Sequence, residues 1–342
     1  MGYTYHLPTS RNPFSDDVLT WRESEVEDLI ENKKVMKILI ATQKPFAAKA
    51  VEGMKEIIAE AGCEVVMLEK YENQQDLVAA VADVDGLIIR SDKVTAEVIA
   101  AAPKLKVVVR AGAGYDNVDL EAATARDIVV MNTPGQNANA VAELTIGMII
   151  YMARNGFKPG TGMEVRGKRL GIVAYGAIGR IVADVADGLG MYVHVYSRPY
   201  PNKIRLYAKH LRRDDTLEKL FSESNFVSLH MPATSDTKNM IGYDLIKLMP
   251  KGGVLVNTAR KELVDEAGLM RALEERSDLK YITDIAPSNI EELKQKFGDR
   301  VFATPKKMGA ETAEANMNAG LAAARQSVGY LCHGENEFQV NK

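Results

Sequence analysis

Two basic side chains stand at the ends of apolar runs in this chain of 342 residues: Arg260 in NTARKELVDE (257–266) and Lys306 in VFATPKKMGAET (301–312). Both runs read as strands, so the two side chains are expected to face one reaction site. A planar guanidinium can hold a carboxylate or a substrate oxygen through paired hydrogen bonds and stabilise charge as it develops. A lysine crowded by that cation and removed from water favours its neutral form, which can take a hydroxyl proton and return it. Lys307 is the adjacent rival for this role, and Arg260 could instead be a salt-bridged strand end. Arg90 and Ser91 close the run GLIIR, Arg110 closes KVVVR, and the small residues Gly112, Ala113 and Gly114 follow. The loop amides could cradle a carboxylate, and the arginines bring positive charge suited to a phosphate. Loop flexibility and solvated surface arginines are the plain alternatives.

A second constellation concerns a dinucleotide. Ala174-Tyr175-Gly176-Ala177-Ile178-Gly179 follows an apolar strand and opens a helix, the context a dinucleotide-binding turn needs, although Ala174 stands where the first glycine is usual. Gly176 can admit a pyrophosphate to the helix N-terminus, and Gly179 can let helix and strand pack. The next strand end reads Tyr196-Ser197-Arg198, without the carboxylate that holds an NAD ribose. Ser197 and Arg198 could hold a 2′-phosphate, which makes NADP or dual cofactor use the expectation. Arg198 could also be a solvated loop residue or stack on adenine. No histidine lies at metal-ligand spacing from another ligand, so no metal is expected, at His230 or elsewhere.

The elements that must position these groups alternate. Runs KILIA, EVVML, GLIIR and KVVVR, interleaved with helical stretches, predict a parallel sheet covered by helices. A long apolar helix over 138–154 is expected in a core, being too short and too interrupted by Glu143 for a membrane span. RLGIVAYG, YVHVYS, NFVSLH, GVLVNT and YITDI then predict a second doubly wound sheet. The fold class is therefore α/β, with two Rossmann-like or flavodoxin-like parallel-sheet domains and a site in the cleft between them. A net charge of −3 and a pI near 6.1 give no reason to expect a nucleic-acid or membrane partner. Cys63 and Cys332 are too few and too far apart in sequence for a disulfide framework, and 1–34 shows no secretory apolar run, so a cytoplasmic location is expected. The role of the N-terminal extension over 1–36, which holds Trp21, is not legible.

The segments SLHMPATSDT (228–237), RAGAGYDNVD (110–119), GQNANAVAEL (135–144), TPKKMGAET (304–312) and the terminal FQVNK resemble the D-2-hydroxyacid dehydrogenase family, and within it the short, lysine-type D-3-phosphoglycerate dehydrogenases. The resemblance runs from about Met36 to Lys342. It implies a substrate-binding domain over 37–133 plus 311–342, closed by a returning C-terminal helix, around a dinucleotide-binding domain over 134–310. It implies that Tyr175, Gly176, Ala177, Ile178, Ser197 and Arg198 hold the cofactor, with His230, Met231 and Pro232 on its adenosine side and Thr258, Ala259 and Asp284 near the nicotinamide. Asp284 follows Arg260 by 284 − 260 = 24 residues, the family spacing. The register Thr304-Pro305-Lys306 puts Lys306 at the family's histidine position, while the family's catalytic glutamate position is Asn289. Losing a glutamate beside a lysine is chemically coherent, because a carboxylate would raise a pKa that catalysis needs lowered. The implied function is oxidation of D-3-phosphoglycerate to 3-phosphohydroxypyruvate with NAD or NADP at the entry to serine synthesis, by a homodimer joined through its cofactor domains. No serine-sensing regulatory domain is expected after the C-terminal helix. An NADPH-dependent glyoxylate or hydroxypyruvate reductase is the alternative enzyme, and a dinucleotide-sensing relative without turnover is the alternative outside catalysis.

Overall fold

The computed structural model describes residues 35–197 and 211–342. Arg198 and the N-terminal extension with Trp21 lie outside the described residues. The first sheet has five parallel strands: β1 (Lys37–Thr42), β2 (Glu64–Glu69), β3 (Gly86–Ile89), β4 (Val107–Arg110) and β5 (Val129–Asn132), in the order β2-β1-β3-β4-β5. Strands β3 and β4 are buried on both faces, which is why they read as unbroken apolar runs. Connecting helices are α1 (Ala48–Glu60), α2 (Gln74–Ala80), α3 (Ala96–Ala100) and α4 (Leu120–Thr124). Asn73, Thr95 and Asp119 cap the last three, each side chain accepting an early backbone N–H that the helix leaves without a partner.

After α5 (Ala138–Ala153) come seven parallel strands: β6 (Arg169–Val173), β7 (Tyr192–Tyr196), β8 (Leu211–Arg213), β9 (Phe226–Leu229), β10 (Val254–Asn257), β11 (Lys280–Thr283) and β12 (Val301–Ala303). Their order is β12-β11-β10-β9-β6-β7-β8. Order reverses beside β6, and the carboxyl ends of β6 and β9 border the crevice where such sheets take ligands. The helices between them are α6 (Ala177–Gly188), α7 (Leu217–Glu223), α8 (Tyr243–Ile246), α9 (Glu266–Glu275) and α10 (Ile290–Phe297). Helix α5 is apolar nearly all round and packs with α6, β10 and β11, so its hydrophobicity belongs to a core. Among the described residues no helix is long and apolar enough to cross a membrane.

The chain then returns to the first sheet. Helix α11 (Ala313–His333) lies on α1, β3 and β4, with Leu321 seated over Gly53. The terminal segment covers the edge of β5: Gln339 bridges Met131, Val340 donates to the Val130 carbonyl at 2.9 Å, and Asn341 accepts from the Val130 amide at 2.8 Å. A sheet edge left bare would offer unpaired amides to other chains. The return of α11 brings Cys332 beside Cys63, and both remain free thiols. Burial, followed by that neighbouring thiol, pushes the Cys63 pKa up to about 11.

Candidate active site

The loops after β3 and β4 build one wall. Asp92 is buried and accepts from the Gln43 amide, the Tyr71 hydroxyl and the Arg90 amide, tying the ends of β1 and β3 together. This organiser was not identified in the sequence, where its only signal is its place in the strand-end stretch RSDK. Arg90 lies over the Phe46 ring, 5.3 Å from its centroid, and donates to the Asn316 side chain on α11. Ser91 beside it is exposed. Arg110 folds back so that its Nε donates to the Arg90 carbonyl at 2.9 Å. Burial, then the charges of Arg90 and Arg260, lower its pKa, against an opposing pull from Asp116. Arginine keeps its proton across the working pH range all the same. Gly112 has φ 148°, and a Cβ there would stand 1.6 Å from Nη1 of Arg110, so only glycine fits the bend. Ala113 is exposed, and its carbonyl accepts from Asn132.

The second wall begins at the end of β10. Asn257 accepts from the Ala259 amide at 3.0 Å and donates to the Arg260 carbonyl at 2.9 Å, which fixes the turn that presents Arg260. Within the protein the Arg260 guanidinium donates only to the Ala259 carbonyl among the described residues. Its other donors remain for a ligand. Across the cleft it meets the first lobe: a Cβ on Gly114 would lie 2.8 Å from Nη2 of Arg260 and 3.0 Å from Oδ1 of Asp116. The small-residue loop and the arginine therefore share one site. Thr258 is buried and pairs with Thr145 of α5 at 3.0 Å, while Ala259 is half-buried beside it.

The turn after β12 carries both candidate lysines. Asp284 is 1% exposed, and its carboxylate accepts from the Thr304 hydroxyl, the Met308 amide and the Gly309 amide at 2.8, 2.7 and 2.8 Å. It clamps both ends of the turn after β12. Lys306 on this turn is exposed and without a hydrogen bond or ion pair among the described residues. Lys307 beside it is exposed as well. Its surface retains solvent contact, but its ammonium is crowded enough that burial lowers its pKa, reinforced by Arg260 and Arg110 and opposed by Asp284 and Asp116. The turn that carries both lysines is set by a carboxylate 20 residues upstream of Thr304. Asp284 has its three bonds within the chain, so it acts first as the support of this turn. Asn289, at the position where the family resemblance implies a glutamate, is the N-cap residue of α10, and Glu291 and Glu292 are exposed on that helix's first turn.

On the cofactor side, Gly176 precedes α6 and nothing lies within 4 Å of a Cβ built on it, so the backbone of Gly176, Ala177 and Ile178 is open to a ligand at the positive end of the helix. Gly179 performs the packing role: a Cβ there would meet the Ala174 carbonyl at 2.4 Å. Ala174 itself sits at φ 75°, the left-handed conformation that explains the usual glycine. The Ser197 hydroxyl accepts from the Tyr175 amide at 3.3 Å and so braces this turn, with its own proton left to donate. His230 pairs with Ser228 at 2.9 Å, its Nδ1 is buried without a partner among the described residues, and burial pushes its pKa down to about 3. A neutral imidazole in this position is no acid at physiological pH. Met231 is buried, and the Pro232 carbonyl accepts from Thr237 at 2.7 Å. No group of three or more metal-ligating side chains occurs among the described residues.

Two parallel sheets, a dinucleotide turn on one of them and a basic cleft where they meet define a two-lobed, NAD(P)-using oxidoreductase. Residues 147–306 match the family described as D-isomer specific 2-hydroxyacid dehydrogenase, NAD binding domain. An NAD⁺-bound 3-phosphoglycerate dehydrogenase of Entamoeba histolytica superposes with a TM-score of 0.81 at 50% identity, covering 90% of this chain and 99% of that one. A hydroxypyruvate reductase of Thermotoga maritima is 35% identical over 75% of this chain and 88% of its own. A D-3-phosphoglycerate dehydrogenase of Methanocaldococcus jannaschii is 37% identical over 74% of this chain and 51% of its own, so the chain spans about half the length of that relative. This chain belongs to the D-isomer-specific 2-hydroxyacid dehydrogenase family.

Proposed function

We propose that the protein oxidises D-3-phosphoglycerate reversibly to 3-phosphohydroxypyruvate, the entry to serine synthesis, with Arg260 as the carboxylate-orienting residue and Lys307 as the proton-transfer residue. The observation that carries this reading is the approach of Arg260 to Gly114 across the cleft, within a group of cations that includes Arg110. The substrate's carboxylate and phosphate bring about three negative charges, since a phosphate monoester is nearly dianionic at neutral pH. Arg90, Arg110 and Arg260 supply the positive charge for that load, with Asp116 opposing them. The Gly112–Gly114 loop and Arg260 hold the carboxylate, and Arg90 with Arg110 receives the phosphate.

The dinucleotide fits the open Gly176 turn and the helix N-terminus, and when bound it supplies the hydride acceptor. The C2 hydrogen would leave as hydride to that acceptor. The C2 hydroxyl proton goes to the neutral amine of Lys307, and the C2–O bond becomes a carbonyl. In reduction, the Lys307 ammonium returns the proton. Arg260 steadies the oxygen as its charge changes. We infer use of NADP as well as NAD from the Ser197-Arg198 pair, and assembly as a cytoplasmic homodimer through the cofactor lobes from the family resemblance. The T. maritima relative favours one second reading, reduction of hydroxypyruvate or glyoxylate. Turnover of D-3-phosphoglycerate and D-glycerate in oxidation, and of glyoxylate in reduction, each with both cofactors, separates the two. Preference for the unphosphorylated compounds would overturn the first reading.

A further inference from the structure

Asp116 is a carboxylate in a place that should disfavour one, beside a cleft that must bind an anion. Its Oδ1 and Nη2 of Arg260 both lie against Gly114, 3.0 and 2.8 Å from where a Cβ would stand. It is exposed and makes no hydrogen bond or ion pair among the described residues. Its neighbour Asn117, by contrast, is tied down by bonds to the Arg90 and Asp92 carbonyls. The bend at Gly112 and the anchor at Asn117 bracket Asp116, so the backbone holds this carboxylate at the mouth of the cation cluster.

We propose that Asp116 is a positioning residue, the resident counter-ion of the substrate cleft, which holds the charge cluster together in the empty enzyme and opposes the substrate's own anion when it enters. The inference rests on the reading of Arg260 and Lys307 above. The charges facing Lys307 come from every surrounding loop: Arg260 after β10, Arg110 at the end of β4, Asp284 after β11 and Asp116. Among the two carboxylates, Asp284 is consumed by its three hydrogen bonds, which leaves Asp116 as the adjustable one. Such a group lets an anion-binding cleft exist without substrate, and it sets how much of Lys307 is neutral at a given pH.

The test is Asp116→Asn, which keeps shape and removes charge. With the family substrate and saturating cofactor, KM measured at fixed pH falls about three- to tenfold, because one repulsion is gone. In the pH profile of kcat/KM for oxidation, the rising alkaline limb moves to lower pH by about half a unit to one unit, as expected for an exposed charge several ångströms away in a screened site. Asp116→Glu restores both values toward those of the unaltered protein. A structural role would instead lower kcat or the melting temperature with the limb in place and KM unchanged or raised, and that result overturns the proposal. Lys307→Ala separates the two claims: if it keeps the wild-type limb, Lys307 is not the proton-transfer group, and the KM of Asp116→Asn alone then decides the counter-ion role.

Discussion

Replacing Gly114 by alanine adds one methyl group at the point where the lobes meet. That carbon would stand 2.8 Å from Nη2 of Arg260 and 3.0 Å from Oδ1 of Asp116, several tenths of an ångström inside ordinary contact distance. Both obstacles are the far ends of side chains, and Gly114 has no positive φ, so the backbone can accept the residue. The strain is relieved by swinging the guanidinium away, and stability should change by less than about 1 kcal/mol, the usual range for a site outside the packed core. A displacement of roughly 1 Å in an orienting group costs on the order of 10²-fold in turnover efficiency, or about 2.7 kcal/mol of transition-state stabilisation. Steady-state kinetics should therefore show kcat/KM down about a hundredfold while thermal unfolding and cofactor binding stay near wild type. Normal kcat/KM would refute the claim that Arg260 works from this position. Parallel loss of activity and melting temperature would refute the claim that the contact is functional rather than structural.

Gly179→Ala should behave in the opposite way, because its Cβ would meet the backbone carbonyl of Ala174 at 2.4 Å: a melting temperature lowered by several degrees and weaker binding of either dinucleotide are expected, and an unchanged melting temperature would contradict the packing argument. Arg90→Ala should raise KM for the phosphorylated substrate while leaving cofactor affinity nearly unchanged, and an equal loss with D-glycerate would reassign Arg90 to its contacts with Phe46 and Asn316. Arg198→Ala should weaken NADP use selectively, and equal loss for NAD would remove the 2′-phosphate assignment.

The doubly wound architecture was legible because buried parallel strands such as β3 and β4 are continuous apolar words, and helix patterns separate them. Two strands escaped the reading. β8 is only Leu-Arg-Arg at a sheet edge, where exposure erases the apolar signal, whereas β5 has a strong apolar run that was simply not singled out. The dinucleotide turn was visible despite Ala174, since the surrounding strand and helix constrain it more than one glycine does. The support of the lysine turn was not. Lys306 and Lys307 both ride on a turn held by three hydrogen bonds to Asp284, a long-range fact with no local pattern. The same is true of the counter-ion: RAGAGYDNVD was noticed as a motif, but the approach of Gly114 to a guanidinium after β10 exists only in three dimensions.

The central claim is that Lys307 moves the proton. The most direct measurement compares Lys306→Ala and Lys307→Ala in the oxidation direction, at saturating cofactor and across neutral to alkaline pH. Burial and the charges of Arg260 and Arg110 lower the Lys307 pKa, so the neutral, proton-accepting form gains population as pH rises and does so at lower pH than for an ordinary lysine. Wild-type and Lys306→Ala activity should both climb along that limb, while Lys307→Ala loses about 10²- to 10⁴-fold in kcat together with the limb, with folding and cofactor binding intact. Near-normal turnover by Lys307→Ala, or the large loss falling on Lys306→Ala instead, would contradict the account.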